Sequence, residues 1–215
     1  EHMCEQTRGR THIAPDVGRL PHPAAPLLSR LRKRGAPVVT TTPPWTTARL
    51  DAAMAYGSHA SATQYYEFLR TEMADMARLG YWTVLPYRLV RSLLCRLRLS
   101  PAGVVPQRDR RPRTIIDYTA SNVNAETLRL SPKEAMQFGR ALHRLLRQIR
   151  FAPPQHGPVY MLKVDLSDGF YRVWLQPSDV PVLGVAFPSL PGEEPLVAFP
   201  LVLPMGWCES PPSFC

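Results

Sequence analysis

An α+β fold (mixed α/β) follows from three features of the sequence. Segments 58–80 and 131–150 repeat apolar residues at helical spacing. The C-terminal third is a succession of short apolar, β-favouring runs broken by turns. The chain also carries 24 prolines, about 11% and roughly twice the usual share. Each proline removes a backbone donor and fixes φ, so an all-helical bundle is excluded. A composition of 45% hydrophobic and 20% charged residues is that of a globular chain rather than a disordered or membrane-embedded one. A chain of this length buries about 70% of its unfolded surface.

Residues 1–57 have no sustained periodicity and carry Pro15, Pro21, Pro23, Pro26, Pro37, Pro43 and Pro44, which reads as a linker or loosely packed extension. A helix follows, capped by Ser58 or Ser61, with Tyr65, Phe68, Leu69, Met73, Met76 and Leu79 on its buried side and Gly80 ending it. Glu72 is the one polar residue on that apolar stripe. Leu99–Gln107 and Arg113–Tyr118 read as two β segments around the turn 108–112, a hairpin with a basic tip. Ser131-Pro132-Lys133-Glu134 combines an N-cap, proline at the first helical position and a glutamate three residues after the cap. The helix it starts runs to about Arg150. Phe138, Ala141, Leu142, Leu145, Leu146 and Ile149 form a face expected to pack, opposite Arg140, His143, Arg144, Arg147 and Arg150. Strands are expected at Tyr160–Leu166, Tyr171–Leu175, Val182–Phe187 and Leu196–Val202, the last two joined by the turn 191–195. No internal repeat is present.

The net charge of +9 points to an anionic partner. Arg88, Arg91, Arg96, Arg98, Arg108, Arg110, Arg111 and Arg113 face a single acid, Asp109, within that stretch. Guanidinium groups suit phosphates because they bind them bidentately, although a solvated basic face or a localisation signal has the same composition. Cys4, Cys95, Cys208 and Cys215 form no CxxC pair and the six histidines no HExxH, so neither a zinc site nor a disulfide framework is indicated. The longest apolar stretch, Leu196–Trp207, is interrupted by Pro200 and Pro204 and is far short of the ~20 residues of a spanning helix. With no signal-peptide pattern either, an intracellular location without membrane contact is expected.

Two segments are more specific. In the first, residues 161–173, an apolar run delivers Asp165 and then the turn Ser167-Asp168-Gly169-Phe170-Tyr171-Arg172. The second is Leu203-Pro204-Met205-Gly206-Trp207-Cys208-Glu209-Ser210-Pro211-Pro212-Ser213-Phe214. Upstream lies Arg113-Thr114-Ile115-Ile116-Asp117-Tyr118. Taken in this order, the three segments resemble the fingers motif and the first two palm motifs of the reverse transcriptases of retroviruses and gypsy-like long-terminal-repeat retroelements. The resemblance covers about Ser58–Cys215, and the wordings at 169–172 and 207–211 look closest to eukaryotic retroelements.

That resemblance implies a right-hand polymerase, incomplete in this chain. Residues 58–130 would be the first part of the fingers, 131–173 the first part of the palm, 174–205 the second part of the fingers and 206–215 the start of a palm helix. The implied function is RNA-directed DNA polymerase, transferring nucleotides to a primer 3′-OH with two Mg²⁺ ions. Asp165 would be the catalytic carboxylate on both ions, and the Leu166 carbonyl would help to hold one. Arg113, with Arg108 or Arg110, would close over the triphosphate. Asp168 and Gly169 would lie against it, and Phe170 would exclude a ribose 2′-OH unless it is simply a core aromatic. Met205 and Gly206 would approach the nucleotide, Arg140, Arg144 and Arg147 the nucleic acid, and Ser210-Pro211 would be the cap and first residue of the palm helix. Asp117 reads as structural and would orient an arginine, and Trp207 reads as packing or contact. The implied partners are an RNA or DNA template-primer, a dNTP, and downstream polymerase, RNase H and integrase regions of a polyprotein.

The sequence also departs from the family. Met205 stands where members have Gln or Phe, Thr119 where they have Arg, and the next Leu-Asn aligns with Ser121-Asn122 or with Val123-Asn124. The aromatic-x-Asp-Asp motif is not in the chain, so the isolated 215 residues are expected to be inactive. The alternative is a non-catalytic nucleic-acid-binding remnant of a decayed element.

Overall fold

The computed structural model describes residues 21, 25–93, 95–130, 138–162 and 168–214. Its centre is a five-stranded mixed sheet of order β1-β5-β4-β2-β3, formed by β1 (Trp82–Pro86), β2 (Leu99–Gln107), β3 (Arg110–Ile116), β4 (Gly184–Phe187) and β5 (Leu196–Pro200). All neighbours are antiparallel except β2 and β4. The first six residues of β2 are all buried, because α2 (Thr47–Tyr56) and α3 (Ala60–Gln64) pack on it while β4 pairs alongside. Val104, Leu183, Val185, Val197, Phe199 and Trp207 carry the core. The α+β class expected from the sequence is therefore present.

The hairpin is also present, with a tighter tip than expected: Gln107 pairs with Arg110, and Arg108-Asp109 is a two-residue turn. Asp109 takes the left-handed conformation there, φ 57°, which Asp tolerates better than most residues.

Residues 25–57 correct the reading of a loose extension. They form α1 (Ala25–Arg34), α2 and a connecting stretch whose Ala36, Val38, Trp45 and Leu50 lie in the core. Ala36 bridges Leu175 and Thr40 bridges Thr127. The backbone N–H of Val38 donates to Asp179 at 2.9 Å, and Thr46 caps α2. A segment held by isolated bridges and single side-chain bonds needs no hydrophobic period, which is why none was visible.

The helix expected from 58 to 80 breaks at Tyr65, dividing α3 from α4 (Tyr66–Arg78). Neither serine caps it: Ser58 donates to the Ala186 carbonyl at 2.7 Å, and Ser61 accepts the Val104 N–H at 3.1 Å. Both hydroxyls tie the helix start to the sheet instead. Gly80 ends the second piece with φ 76°, but Leu79, placed on the buried side by the sequence, is exposed.

Two expected strands differ from expectation in their described residues. Tyr160, Met161 and Leu162 are exposed and outside the sheet, and the rest of that run lies outside the described residues. Residues 171–175 reduce to the end of a 3₁₀ turn, Gly169–Arg172, followed by single bridges from Trp174 to Val202 and from Leu175 to Ala36. A 3₁₀ segment, Pro177–Leu183, takes the first part of the third run and leaves β4 to begin at Gly184. The sequence missed α5 (Tyr87–Leu93) and the four-residue α6 (Val123–Glu126).

The basic helix α7 is described from Phe138 to Arg150, its capping box lying outside the described residues. Its apolar face does not pack as expected: Leu142, Leu145 and Leu146 are all exposed. The C-terminal α8 (Ser210–Phe214) starts one residue earlier than read. Ser210 is buried inside it, and its hydroxyl donates to the Pro204 carbonyl at 2.7 Å instead of capping. No described helix is long and apolar enough to cross a membrane.

Candidate functional site

β3 alternates in burial, with Pro112 and Thr114 half-buried, Ile116 buried, and Arg113 and Ile115 exposed, as the period-two geometry of a strand requires. Its inner side meets α4, the turn 168–172 and the loop 203–209. Thr114, Ile116, Tyr171 and Met205 line one cavity of about 40 Å³ with Leu69, Glu72, Met73, Met76 and Trp82, room for a water or two. The three segments singled out in the sequence thus converge on one small space.

Glu72, Thr114 and Tyr171 bring polar groups to that space. The Thr114 hydroxyl donates to the Glu72 carboxylate, and Arg111 lies 3.7 Å from Glu72 with its guanidinium over the Phe68 ring. Glu72, the polar residue on an apolar stripe, therefore joins α4 to β3. The Tyr171 ring tilts against Tyr81 at 5.3 Å. Burial pushes the Tyr171 phenol up to about 12, with the negative charges of Glu72 and Asp168 adding to it. Burial and the hydrogen bond to Asp51 likewise hold Tyr87 at about 12. A phenol whose pKa is raised by folding contributes stability that is complete below its unfolded value near 10. Stability should therefore fall as pH rises from about 10 to about 12, and a urea midpoint that stays flat across that range would contradict it.

Gly206 sits at φ 95°, and a Cβ there would lie 2.4 Å from the Ile116 carbonyl oxygen. Its lack of a side chain thus serves a close approach to β3 within the chain. Asn124 holds the same loop: Nδ2 donates to the Gly206 carbonyl at 3.0 Å and to Thr119 at 3.1 Å, while Oδ1 accepts the Cys208 N–H at 2.9 Å. The sequence offered Asn124 only as one of two alignments, because nothing local marks a residue whose partners lie some 80 positions away. Gly206→Ala should cost about 1–3 kcal/mol from the positive φ alone. Contact with an immovable backbone carbonyl adds to that cost. A melting temperature equal to the parent's would show that the loop relaxes freely.

The remaining expected residues are dispersed. Asp165 and Leu166 lie outside the described residues. Asp168 is exposed in the left-handed conformation. Phe170 is half-buried and meets Phe214 of α8 edge to face, 5.4 Å between centroids. A Cβ on Gly169 would stand 2.7 Å from that Phe214 ring, so the small residue makes room for an aromatic pair. Trp207 is packing, 1% exposed. Asp117 is structural as expected, but its partner is His59, at 3.2 Å, rather than an arginine, and its other oxygen accepts the N–H groups of Thr119 and Ala120.

The arginine cluster divides in two. Arg88 pairs with Glu194, Arg91 with Asp51, Arg96 with Asp179 and Arg98 with Glu126, and Arg111 lies beside Glu72. Arg108, Arg110 and Arg113 stay exposed on the hairpin, where the nearest carboxylate to any of them among the described residues is Asp109, 3.9 Å from Arg108. None of the three lines the cavity. Arg144 and Arg147 line a separate open groove with Gln148, Phe151, Ala152 and Pro153. Arg140 belongs to the same helix.

Among the described residues no group of three or more His, Cys, Asp or Glu side chains could hold a metal ion. Asp165, the expected metal carboxylate, lies outside those residues. Cys95 and Cys208 are free thiols. No protein-family model matches the chain, and no curated protein matches it.

Proposed function

We propose that the chain is the fingers and first part of the palm of an RNA-directed DNA polymerase from a retroelement polyprotein. The domain boundaries are those given above. The observation that carries this reading is the meeting of the three polymerase-like segments: Thr114 and Ile116, Tyr171 after Asp168-Gly169-Phe170, and Met205 line one cavity, and Gly206 closes against the Ile116 carbonyl. In this reading the described residues bind and position template-primer and dNTP. Nucleotidyl transfer belongs to Asp165 together with carboxylates outside this chain, and no step is assigned to the described side chains.

Arg108, Arg110 and Arg113 contribute the phosphate contacts of the hairpin. The test is primer extension on an RNA template with dNTPs and Mg²⁺, comparing this chain with a polypeptide extended by ~150 residues of its reading frame, about one domain. Activity in the longer polypeptide alone supports the reading. Silence in both, with salt-sensitive nucleic-acid binding, supports the binding remnant. Replacing the three arginines with alanine should make the plot of log K against log salt shallower by roughly one unit for each arginine that meets a phosphate. An unchanged slope would remove the hairpin from the interface.

A further inference from the structure

Four hydroxyl residues stand directly before a proline: Thr42, Ser100, Ser131 and Ser210. That dipeptide suits a protein kinase whose cleft offers no acceptor to the residue after the target, since proline has no backbone N–H to leave unsatisfied. Ser100 and Ser210 are 1% and 0% exposed, and Ser131 lies outside the described residues. Thr42 is exposed, as are Thr41, Pro43 and Pro44 beside it. Residues 41–44 belong to neither helix nor strand, and the buried Val38 and Trp45 moor the run at its two ends. Proline biases the residue before it towards extended backbone, so Thr42 and Pro43 are both inclined to the form that a kinase cleft takes.

The surroundings of Thr42 are those of a phosphate receiver. Arg98 Nη2 donates to the Thr42 hydroxyl at 3.0 Å, to the Thr42 carbonyl at 3.1 Å and to the Pro43 carbonyl at 3.3 Å. That nitrogen has two hydrogens, which the two carbonyls can satisfy, so the hydroxyl is the acceptor it can lose to a kinase. Arg49 lies over the Trp45 ring, 3.8 Å from its centre, with its side chain 41% exposed. Arg98 and Arg49 share Glu126, while Arg96 keeps Asp179. Among the described residues, two guanidinium groups therefore meet one carboxylate beside Thr42. Burial, then the charges of Arg49 and Arg96, lower the Arg98 pKa, as an excess of positive charge requires.

We propose that Thr42 is a phosphorylation site for a proline-directed protein kinase, with Arg98 and Arg49 holding the phosphate. In the transfer, Thr42 Oγ1 attacks the γ-phosphorus of ATP. The new Oγ1–P bond replaces the bond to the β-phosphate oxygen, ADP leaves, and the hydroxyl proton passes to the carboxylate base of the kinase. Phosphothreonine brings about −1.5 to −2 charge and three acceptor oxygens, which meet the excess positive charge and fasten the 41–44 run to the core. The proposal does not depend on the polymerase reading.

The test is incubation of the folded 215-residue chain with ATP and a mitogen-activated protein kinase as the probe, the modified residue being located by peptide mass spectrometry. Phosphate is expected on Thr42, abolished by Thr42→Val and by Pro43→Ala and retained in Thr42→Ser. The phosphorylated chain should melt about 2–4 °C above the unmodified one, the shift of one net charge-assisted hydrogen bond in a chain of this size. Arg49→Gln should remove that gain and leave the labelling intact. Absence of label from Thr42, labelling of Thr42 only in the urea-unfolded chain, or its persistence in Pro43→Ala would overturn the site. A melting temperature unchanged or lowered by the phosphate would overturn the role of the two arginines.

Discussion

Glu126→Ala is expected to lower the unfolding free energy by about 3–5 kcal/mol, the usual cost of leaving a buried charge without its partner. Glu126, at the end of α6, accepts the Trp45 indole N–H at 3.1 Å and Arg49 at 2.8 Å, and forms an ion pair with Arg98. The Arg98 side chain is 2% exposed. Its guanidinium also donates to the Thr42 carbonyl, the Thr42 hydroxyl and the Pro43 carbonyl at 3.0–3.3 Å. Burial, with Arg49 and Arg96 nearby, already holds the Arg98 guanidinium down at about 10. Without the carboxylate, the Arg98 and Arg49 guanidinium groups would share the site with no counter-charge, while Arg96 keeps Asp179. The same substitution releases Trp45 and the backbone around Thr42, so residues 25–57 should loosen together with the ion pair. A urea titration should show the midpoint fall by about 1–3 M. Arg98→Met combined with Glu126→Leu should recover much of the loss, because apolar residues of similar volume commonly replace a buried pair without penalty. A midpoint within about 0.3 M of the parent for Glu126→Ala would mean that water reaches Arg98 in solution.

The second large effect concerns activity. In the extended polypeptide, Asp165→Asn is expected to abolish Mg²⁺-dependent primer extension while template-primer affinity stays within about twofold. The asymmetry follows from the division of labour proposed above. Affinity for nucleic acid comes mainly from cationic contacts with phosphate, and Asp165 supplies none. Catalysis of phosphoryl transfer rests on charge stabilisation at the reacting oxygens, where the carboxamide of Asn lacks the anionic oxygen that a metal-binding carboxylate supplies. Equal loss of binding and extension would make Asp165 a structural residue. Full retention of extension would dismiss the carry-over from the family.

Local sequence signals suffice where one element explains itself. The hairpin at 99–116 announced its strands through β-favouring runs and its turn through Arg108-Asp109, and the structure differs only in how tight that turn is. Gly80 ended its helix because a left-handed residue is needed there. Errors arose where a residue's partner is distant. Ser58, Ser61 and Ser210 had the chemistry of caps, yet each hydroxyl serves a tertiary bond. A propensity cannot show that choice, since a hydroxyl satisfies a helix end or a remote backbone group equally well.

The arginine cluster teaches the same lesson in electrostatics. Composition placed eight arginines in one stretch and invited a single anionic partner for all of them. The fold brings Asp51, Glu72, Glu126, Asp179 and Glu194 to five of them, from as far away as Glu194 is from Arg88. Only the hairpin arginines are left for a ligand. Within the candidate site, Met205, Gly206, Thr114 and Tyr171 were legible as parts of three separate motifs. The meeting of Met205, Thr114 and Tyr171 around one cavity, and the hold of Asn124 on Gly206, were not.

By itself the sequence determined the α+β class, the hairpin, the amphipathic helix ending at Arg150 and the three segments that carry the functional reading, because each depends on residues a few positions apart. The tertiary structure alone decided that residues 25–57 belong to the core, that five arginines are internal counter-charges, that Gly206 is small for the sake of Ile116, and that the leucines of α7 remain uncovered. Those outcomes depend on which surfaces meet after the chain has turned back on itself. Burial and ion pairing are properties of that meeting, and no stretch of neighbouring residues encodes them locally.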